Sequence, residues 1–289
     1  MLFRSEPVWN NEHIDCVQIT MAESFDVADR GSFYDKVGAL KDVVQNHIMQ
    51  IVGLLAMDPP VSARPADLHV AQRAVFSAMR PVGPEDVVRG RYRGYLDVEG
   101  VADDSTTETF IALRVHIDSW RWAGVPFLIR AGKSLGATAT EAVVVFKPPP
   151  LDLFGADLHG GAAPTPNRIR FRLGHHDGVQ VRVQALDPTS TCGMASTDIV
   201  LDVDFDQALG RERLPYEQLL GDALDGDMTR FATQGIIEGT WTALDPVVQS
   251  PPGVIDYDRG SMGPTEAGAL VDGHAAWIDP IAGPSERPA

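Results

Sequence analysis

The stretch RIRFRLGHHDGVQVRVQAL, residues 168–186, decides the fold. Arg168, Arg170 and Arg172 alternate strictly with Ile169, Phe171 and Leu173, the period of a strand with one apolar face. After the turn GHHDG, the run VQVRVQAL repeats that alternation, so the two runs form an antiparallel hairpin. Working outward, TTETFIALRVHID (106–118) sets Thr109, Ile111, Leu113, Val115 and Ile117 on one face. HIDCVQITMAE (13–23), VPFLIR (125–130), EAVVVF (141–146) and TDIVLDVDF (197–205) also read as strands. Helical patterns lie outside this block: a long helix ended by Pro59 and Pro60, another over Asp67 to Met79, and two more near 216–225 and 227–244. Strands gathered in the middle, with helices before and after, predict an α+β fold with one large, predominantly antiparallel sheet covered by helices. Residues 1–289 are expected to form a single domain, with PPPLDLFGADLHGGAAPTPN (148–167) an excursion within the sheet. Strands do not alternate with helices, so a doubly wound nucleotide-binding fold is not expected.

Bulk composition narrows the function. The 289 residues are 44% apolar and 22% charged, ordinary globular values. Forty acidic residues against 24 basic give a formal charge of −16, which argues against nucleic acid or an anionic membrane as partner. No run approaches the roughly 20 apolar residues of a membrane span, and MLFRSEPVWN lacks the regions of a signal peptide, so the expected location is the cytoplasm. Two cysteines, Cys16 and Cys192, with no CxxC, imply neither a disulfide framework nor a cysteine-based zinc site.

Within the long helix, KDVVQNHIMQ (41–50) places three polar residues, Gln45, Asn46 and His47, in an otherwise apolar run. On α-helical spacing Leu40, Val43, Val44, Ile48, Ile51, Leu54 and Leu55 form one stripe, and His47 lies on it. Its imidazole is therefore expected to face the interior or a cleft. Two readings fit: a hydrogen-bonded core histidine, or a general base, since histidine changes charge near neutral pH. Asp42 stands five positions earlier, about 140° around an α-helix, either capping the helix start or reaching a ligand from the rim. RAGKSL lacks the glycine a phosphate loop needs, because Phe127 stands there. Lys133 is left either as a solvated lysine or as a cation approaching a ligand between Gly132 and Gly136. His175, His176 and Asp177 lack zinc spacing, and no GxGxxG or GxSxG occurs.

Blocks spread from residue 6 to about 264 resemble the glucose-6-phosphate dehydrogenase family. They are EPVWN, HIDCVQIT, AESFDVADRGSFYDKVGALKDVVQNHIMQIVGLLAMDPP, WRWAGVPFLIRAGKSL, LPYEQLLGDALDGDMTRF and GSMGP, in the family's order. The resemblance is to the family's C-terminal α+β domain, which carries the large sheet, the dimer interface and much of the sugar site. It implies that His47 is the base that takes the C1 hydroxyl proton of glucose 6-phosphate while hydride passes to NADP. It implies too that Glu23, Asp42 and Lys133 contact the sugar, and that the chain forms a homodimer through its sheet. The family's coenzyme domain, and the RIDHYLGKE segment that grips the phosphate and orients the base, belong to an N-terminal half with no counterpart in these residues. NADP is thus expected to be bound by that half and not by this chain. Thr138 stands where other members often carry a second cation. Three expectations follow: a fragment inactive without the N-terminal half, a non-catalytic assembly partner, or an autonomous sugar-phosphate binder.

Overall fold

The computed structural model describes residues 3–151, 165–174, 177–186, 196–209 and 215–281. The alternating segments of the middle of the chain pair into a nine-stranded sheet in the order β8-β7-β6-β5-β1-β4-β3-β2-β9. These strands are β1 (Ile14–Ala22), β2 (Val87–Tyr92), β3 (Phe110–Val115), β4 (Phe127–Gly132), β5 (Ala139–Phe146), β6 (Arg168–Leu173), β7 (Gly178–Leu186), β8 (Ser196–Asp204) and β9 (Val254–Tyr257). Arg168 faces Arg182 and Phe171 faces Val179 across the β6–β7 hairpin, the register its alternation requires. The sheet is mostly antiparallel, as expected. Two pairs are parallel, β1 with β4 and β2 with β9.

Two strands escape a reading by alternation. VVRGRY, which forms β2, is interrupted by Gly90, where a Cβ would meet the Pro264 ring at 2.7 Å. The edge strand β9 is four residues long and lies in a stretch rich in proline and glycine. His175 and His176 lie outside the described residues.

One face of the sheet carries helices. They are a π-helix (Leu40–Ile48), α2 (Met49–Ala56), α3 (Pro65–Ser77) and, late in the chain, α6 (Gln234–Gln249), while α1 (Gly31–Ala39) leads into them and clusters its Tyr34 with Phe110 and Ala112. Beyond β8 come the short α4 (Phe205–Leu209) and α5 (Pro215–Asp225). Val44, Ile48, Val52, Phe76 and Leu244 from the helices bury against Ile19, Ile111, Leu113 and Ile129 of the sheet. The opposite face is crossed by the segment 271–281, where Gln18 Nε2 donates to Ala275 O and Ala276 O at 3.0 Å each. The helix expected over 227–244 begins only at Gln234, because Asp227 accepts the Thr229 N–H at 2.9 Å in a local turn that competes with helix. No helix among the described residues is long and apolar enough to cross a membrane.

The long helix departs most from expectation. Gly38 takes φ +67°, and a Cβ there would lie 2.5 Å from Glu108 Oε1, so the chain kinks where only glycine fits. Past the kink, the Leu40 N–H donates to Glu108 Oε1 at 3.0 Å, and nine residues follow as π-helix, with the Met49 N–H reaching Val44 O. Hydrogen bonds from i to i+5 widen the turn to roughly 4.4 residues, so each residue rotates by about 80° instead of 100°. Leu40, Val43, Val44, Ile48, Met49 and Val52 are buried, whereas Leu54, expected on the stripe, is 50% exposed. His47 is exposed, not interior as α-helical spacing required. Of the polar trio only Gln45 reaches inward, its Nε2 donating to Thr240 Oγ1 on α6 at 3.1 Å.

Glu108 is held in turn by Arg89, whose Nε and Nη2 donate to Glu108 Oε2 at 3.2 and 2.7 Å. Both side chains are at least nine-tenths buried, so loss of one strands the other's charge. Glu108→Ala should therefore lower unfolding free energy by about 3–5 kcal/mol in urea titrations. Gly38→Ala should cost about 1–3 kcal/mol through backbone strain alone. A change within about 0.5 kcal/mol for both, the level of an ordinary surface substitution, would remove this pair as the anchor of the π-helix.

Candidate functional site

Parallel pairing builds the site. β1 and β4 run side by side with Ala22 opposite Gly132, so both strands end at the same rung and the next residues, Glu23 and Lys133, emerge together. The Glu23 N–H donates to Gly132 O at 3.0 Å, and the Lys133 N–H to Thr109 O at 2.9 Å, which fixes both backbones. Lys133 Nζ then donates to Glu23 Oε2. Only 2% exposed, the lysine is no solvated surface residue. Its ammonium also sits 5.2 Å from the Phe25 ring centroid and 5.3 Å from that of Tyr34, within cation–π range of both.

The turn that follows is strained and clamped. Ser134 adopts φ +53°, uncommon for a residue with a side chain, while its N–H donates to Phe25 O at 2.9 Å. The Tyr257 hydroxyl donates to Lys133 O at 2.6 Å. The GSMGP loop buttresses the other side: Gly136 N–H donates to Ser261 O at 2.9 Å and Gly260 N–H to Ser134 O at 2.8 Å. A Cβ on Gly136 would come within 2.8 Å of Gly260 O, so this close approach needs glycine. Arg259 Nη1 pairs with Asp26 at 2.8 Å and ties that loop to the segment after β1. Thr138 Oγ1 accepts the Ser24 N–H at 3.0 Å, next to Glu23.

Tyr34 on α1 links these groups to the π-helix. Its ring is buried, and its hydroxyl has no hydrogen-bond partner among the described residues. Burial pushes the phenol well above its ordinary pKa, and negative charge from Glu108, Asp42 and Glu23 pushes the same way. Asp42 is half-buried and His47 exposed, and neither side chain has a hydrogen bond or ion pair with a described residue. On the widened π turn Asp42 and His47 lie only about 50° apart, instead of the 140° of an α-helix, so both occupy the outward face.

The structure thus joins Glu23 to Lys133, brings Asp42 to bear on the same phenol, and does not bond His47 to the other three. Sequence reasoning missed Tyr34, Phe25 and Glu108, because each reads locally as an ordinary aromatic or surface acid. Only the strand-end pairing shows that they share one site. Among the described residues no three His, Cys, Asp or Glu side chains gather to hold a metal. An ammonium, carboxylates and aromatic faces form a donor and acceptor set suited to a hydroxylated ligand, not to a metal ion.

Comparison with known proteins identifies the family. The family described as "Glucose-6-phosphate dehydrogenase, C-terminal domain" matches residues 3–278. Glucose-6-phosphate 1-dehydrogenase 1 of Mycobacterium tuberculosis is 44% identical over 273 residues, covering 94% of this chain and 57% of that protein. The Treponema pallidum glucose-6-phosphate 1-dehydrogenase is 36% identical over 299 residues, covering 95% and 57%. A crystal structure of the Mycobacterium avium enzyme superposes with TM-score 0.87 at 43% identity over 96% of this chain and 59% of that one. A glucose-6-phosphate dehydrogenase in complex with its substrate gives TM-score 0.83 at 28% identity, covering 95% and 58%. The chain therefore spans somewhat more than half the length of the relatives it matches. Over nearly all of its own length, this chain belongs to the glucose-6-phosphate dehydrogenase family, as its C-terminal domain.

Proposed function

We propose that this chain, folded as a single domain, is the sugar-binding part of an enzyme that oxidises glucose 6-phosphate at C1. The carrying observation is the Lys133–Glu23 pair at the ends of β1 and β4, with Asp42 of the π-helix acting on the Tyr34 phenol whose ring packs against Lys133. In this reading Lys133, Glu23 and Asp42 hydrogen-bond the sugar hydroxyls and fix C1. Lys133 enters the encounter already ordered by two rings and a carboxylate, so little rotamer entropy is lost on binding. His47 takes the proton from the C1 hydroxyl at an imidazole nitrogen. An exposed imidazole on a rigid helix suits that role, because it exchanges protons with solvent between turnovers. NADP would supply the hydride acceptor. The described residues offer no glycine-rich nucleotide loop to hold it, so coenzyme binding is assigned to residues beyond this chain.

Exposed apolar side chains favour self-association. On β8, at the edge of the sheet, Ile199 (44%), Leu201 (59%) and Val203 (46%) are exposed, as are Leu220 (65%) and Leu224 (88%) on α5. An edge strand with this surface is a template for pairing, and a second copy of the chain is its proposed cover. Light scattering should give the mass of a dimer, and Leu201→Glu should return it to a monomer; a monomeric parent chain would end this part of the proposal.

Two enzymatic outcomes test the main reading. The 289-residue chain alone should give no NADPH absorbance with glucose 6-phosphate, and robust turnover would refute the assignment of coenzyme binding to another part of the enzyme. In a protein completed with the N-terminal half of a relative, His47→Asn should lower kcat by about 10² to 10⁴ with KM changed only a few-fold. Unchanged turnover would mean that another group is the base.

A further inference from the structure

At the other end of β1 lies a cavity of about 500 Å³, lined by residues where β5 ends and β6 begins and by the middle of β7. It is remote from Lys133. Ile14 pairs with Phe146 at this end and Ala22 with Ala139 at the other, so the length of β1, roughly 26 Å at 3.3 Å per residue, separates the two.

Its walls are apolar, including Phe146 and Ile169, but its charges are mostly positive: Lys147, Arg168 and Arg182 against one exposed carboxylate, Glu12. Those cations are poorly compensated. Arg168 and Arg182 stand directly opposite one another across β6 and β7, a destabilising like-charge pair. Arg182 Nη1 pairs with Asp198 at 2.7 Å, yet its Nε is buried without an acceptor. Lys147 Nζ donates to a backbone oxygen, Asn11 O, at 2.6 Å, and makes no ion pair among the described residues. Arg168 is half-buried, and its side chain has no hydrogen bond or ion pair with any described residue. Burial first, then the neighbouring guanidiniums of Arg182 and Arg170, push its pKa down, outweighing the opposite pull of Asp198 and Glu141.

We propose that this cavity binds a small phosphomonoester, with its phosphate among Arg168, Arg182 and Lys147 and its organic part against Phe146 and Ile169. A phosphate dianion suits three cations lining one cavity better than a carboxylate, since it brings more charge and three acceptor oxygens, and arginine binds it in bidentate fashion. The cavity is larger than the anion alone requires and falls within the usual range for small-molecule sites, which leaves room for an apolar body. The site is independent of the sugar-oxidation reading.

Isothermal titration calorimetry on the whole chain tests this, with phenyl phosphate and inorganic phosphate as probes in chloride buffer of fixed ionic strength. Phenyl phosphate should bind saturably, one per chain, and more tightly than inorganic phosphate. Arg168→Gln should weaken it at least tenfold, and Lys147→Gln should act in the same direction, while Lys133→Gln leaves it unchanged. Arg168→Gln removes an uncompensated charge, so its melting temperature in phosphate-free buffer should not fall below that of the parent chain. Unsaturable binding, or a loss caused by Lys133→Gln and not by Arg168→Gln, would overturn the proposal. Equal or tighter binding of inorganic phosphate would overturn its assignment to an ester.

Discussion

The parallel pairing of β1 with β4 in the middle of an otherwise antiparallel neighbourhood is the constraint on which the site depends. Antiparallel neighbours send their chains out at opposite ends, so residues following two such strands never meet. A parallel pair in matched register releases both chains at one edge. Lys133 and Glu23 are the first residues past that edge, and the turns after them are secured by Thr109, Tyr257 and the GSMGP loop. Position there is inherited from the ladder, which is stiffer than any loop.

A second constraint acts on the overlying helix. Gly38 and Glu108 interrupt what would be one α-helix and start the next segment on a different hydrogen-bonding pattern. The π-helix keeps Leu40, Val44 and Ile48 buried while turning Asp42 and His47 outward. An α-helix of the same sequence would bury His47 beside Val43 and Ile51 and point Asp42 well away from it. The tightly held Glu108–Arg89 pair thus acts on the placement of Asp42 and His47 at one remove, through the helix it starts.

This explains what was legible in the sequence and what was not. Strict alternation identified β6, β7 and the hairpin between them, because a half-buried strand writes its two faces into successive residues. β2 and β9 were silent, one interrupted by a glycine needed for close approach to Pro264, the other too short to show a period. Resemblance gave Glu23, Asp42 and Lys133 their expected roles, whereas the meeting of Glu23 with Lys133 is a property of strand direction, which no local pattern encodes. The expected placement of His47 failed for a different reason. It assumed 3.6 residues per turn, and the cause of the wider turn, Glu108, lies 68 residues from the amide it binds.

Charge handling elsewhere in the molecule gives the cavity beside Arg168 its meaning. Among the described residues every deeply buried guanidinium has a carboxylate partner: Arg89 has Glu108, Arg130 has Asp279, and Arg170 has Glu141. Lys133, buried as deeply, has Glu23 and two aromatic faces. With 40 acidic residues available, a carboxylate near any given arginine is easily supplied, and these four sites show that the fold supplies one where a cation is withdrawn from water. Arg168 departs from that pattern, half-withdrawn from water and facing a second arginine. A cation left this way in so acidic a chain is better accounted for by a mobile anion than by a fixed one, because a fixed carboxylate would close the site to any exchangeable ligand.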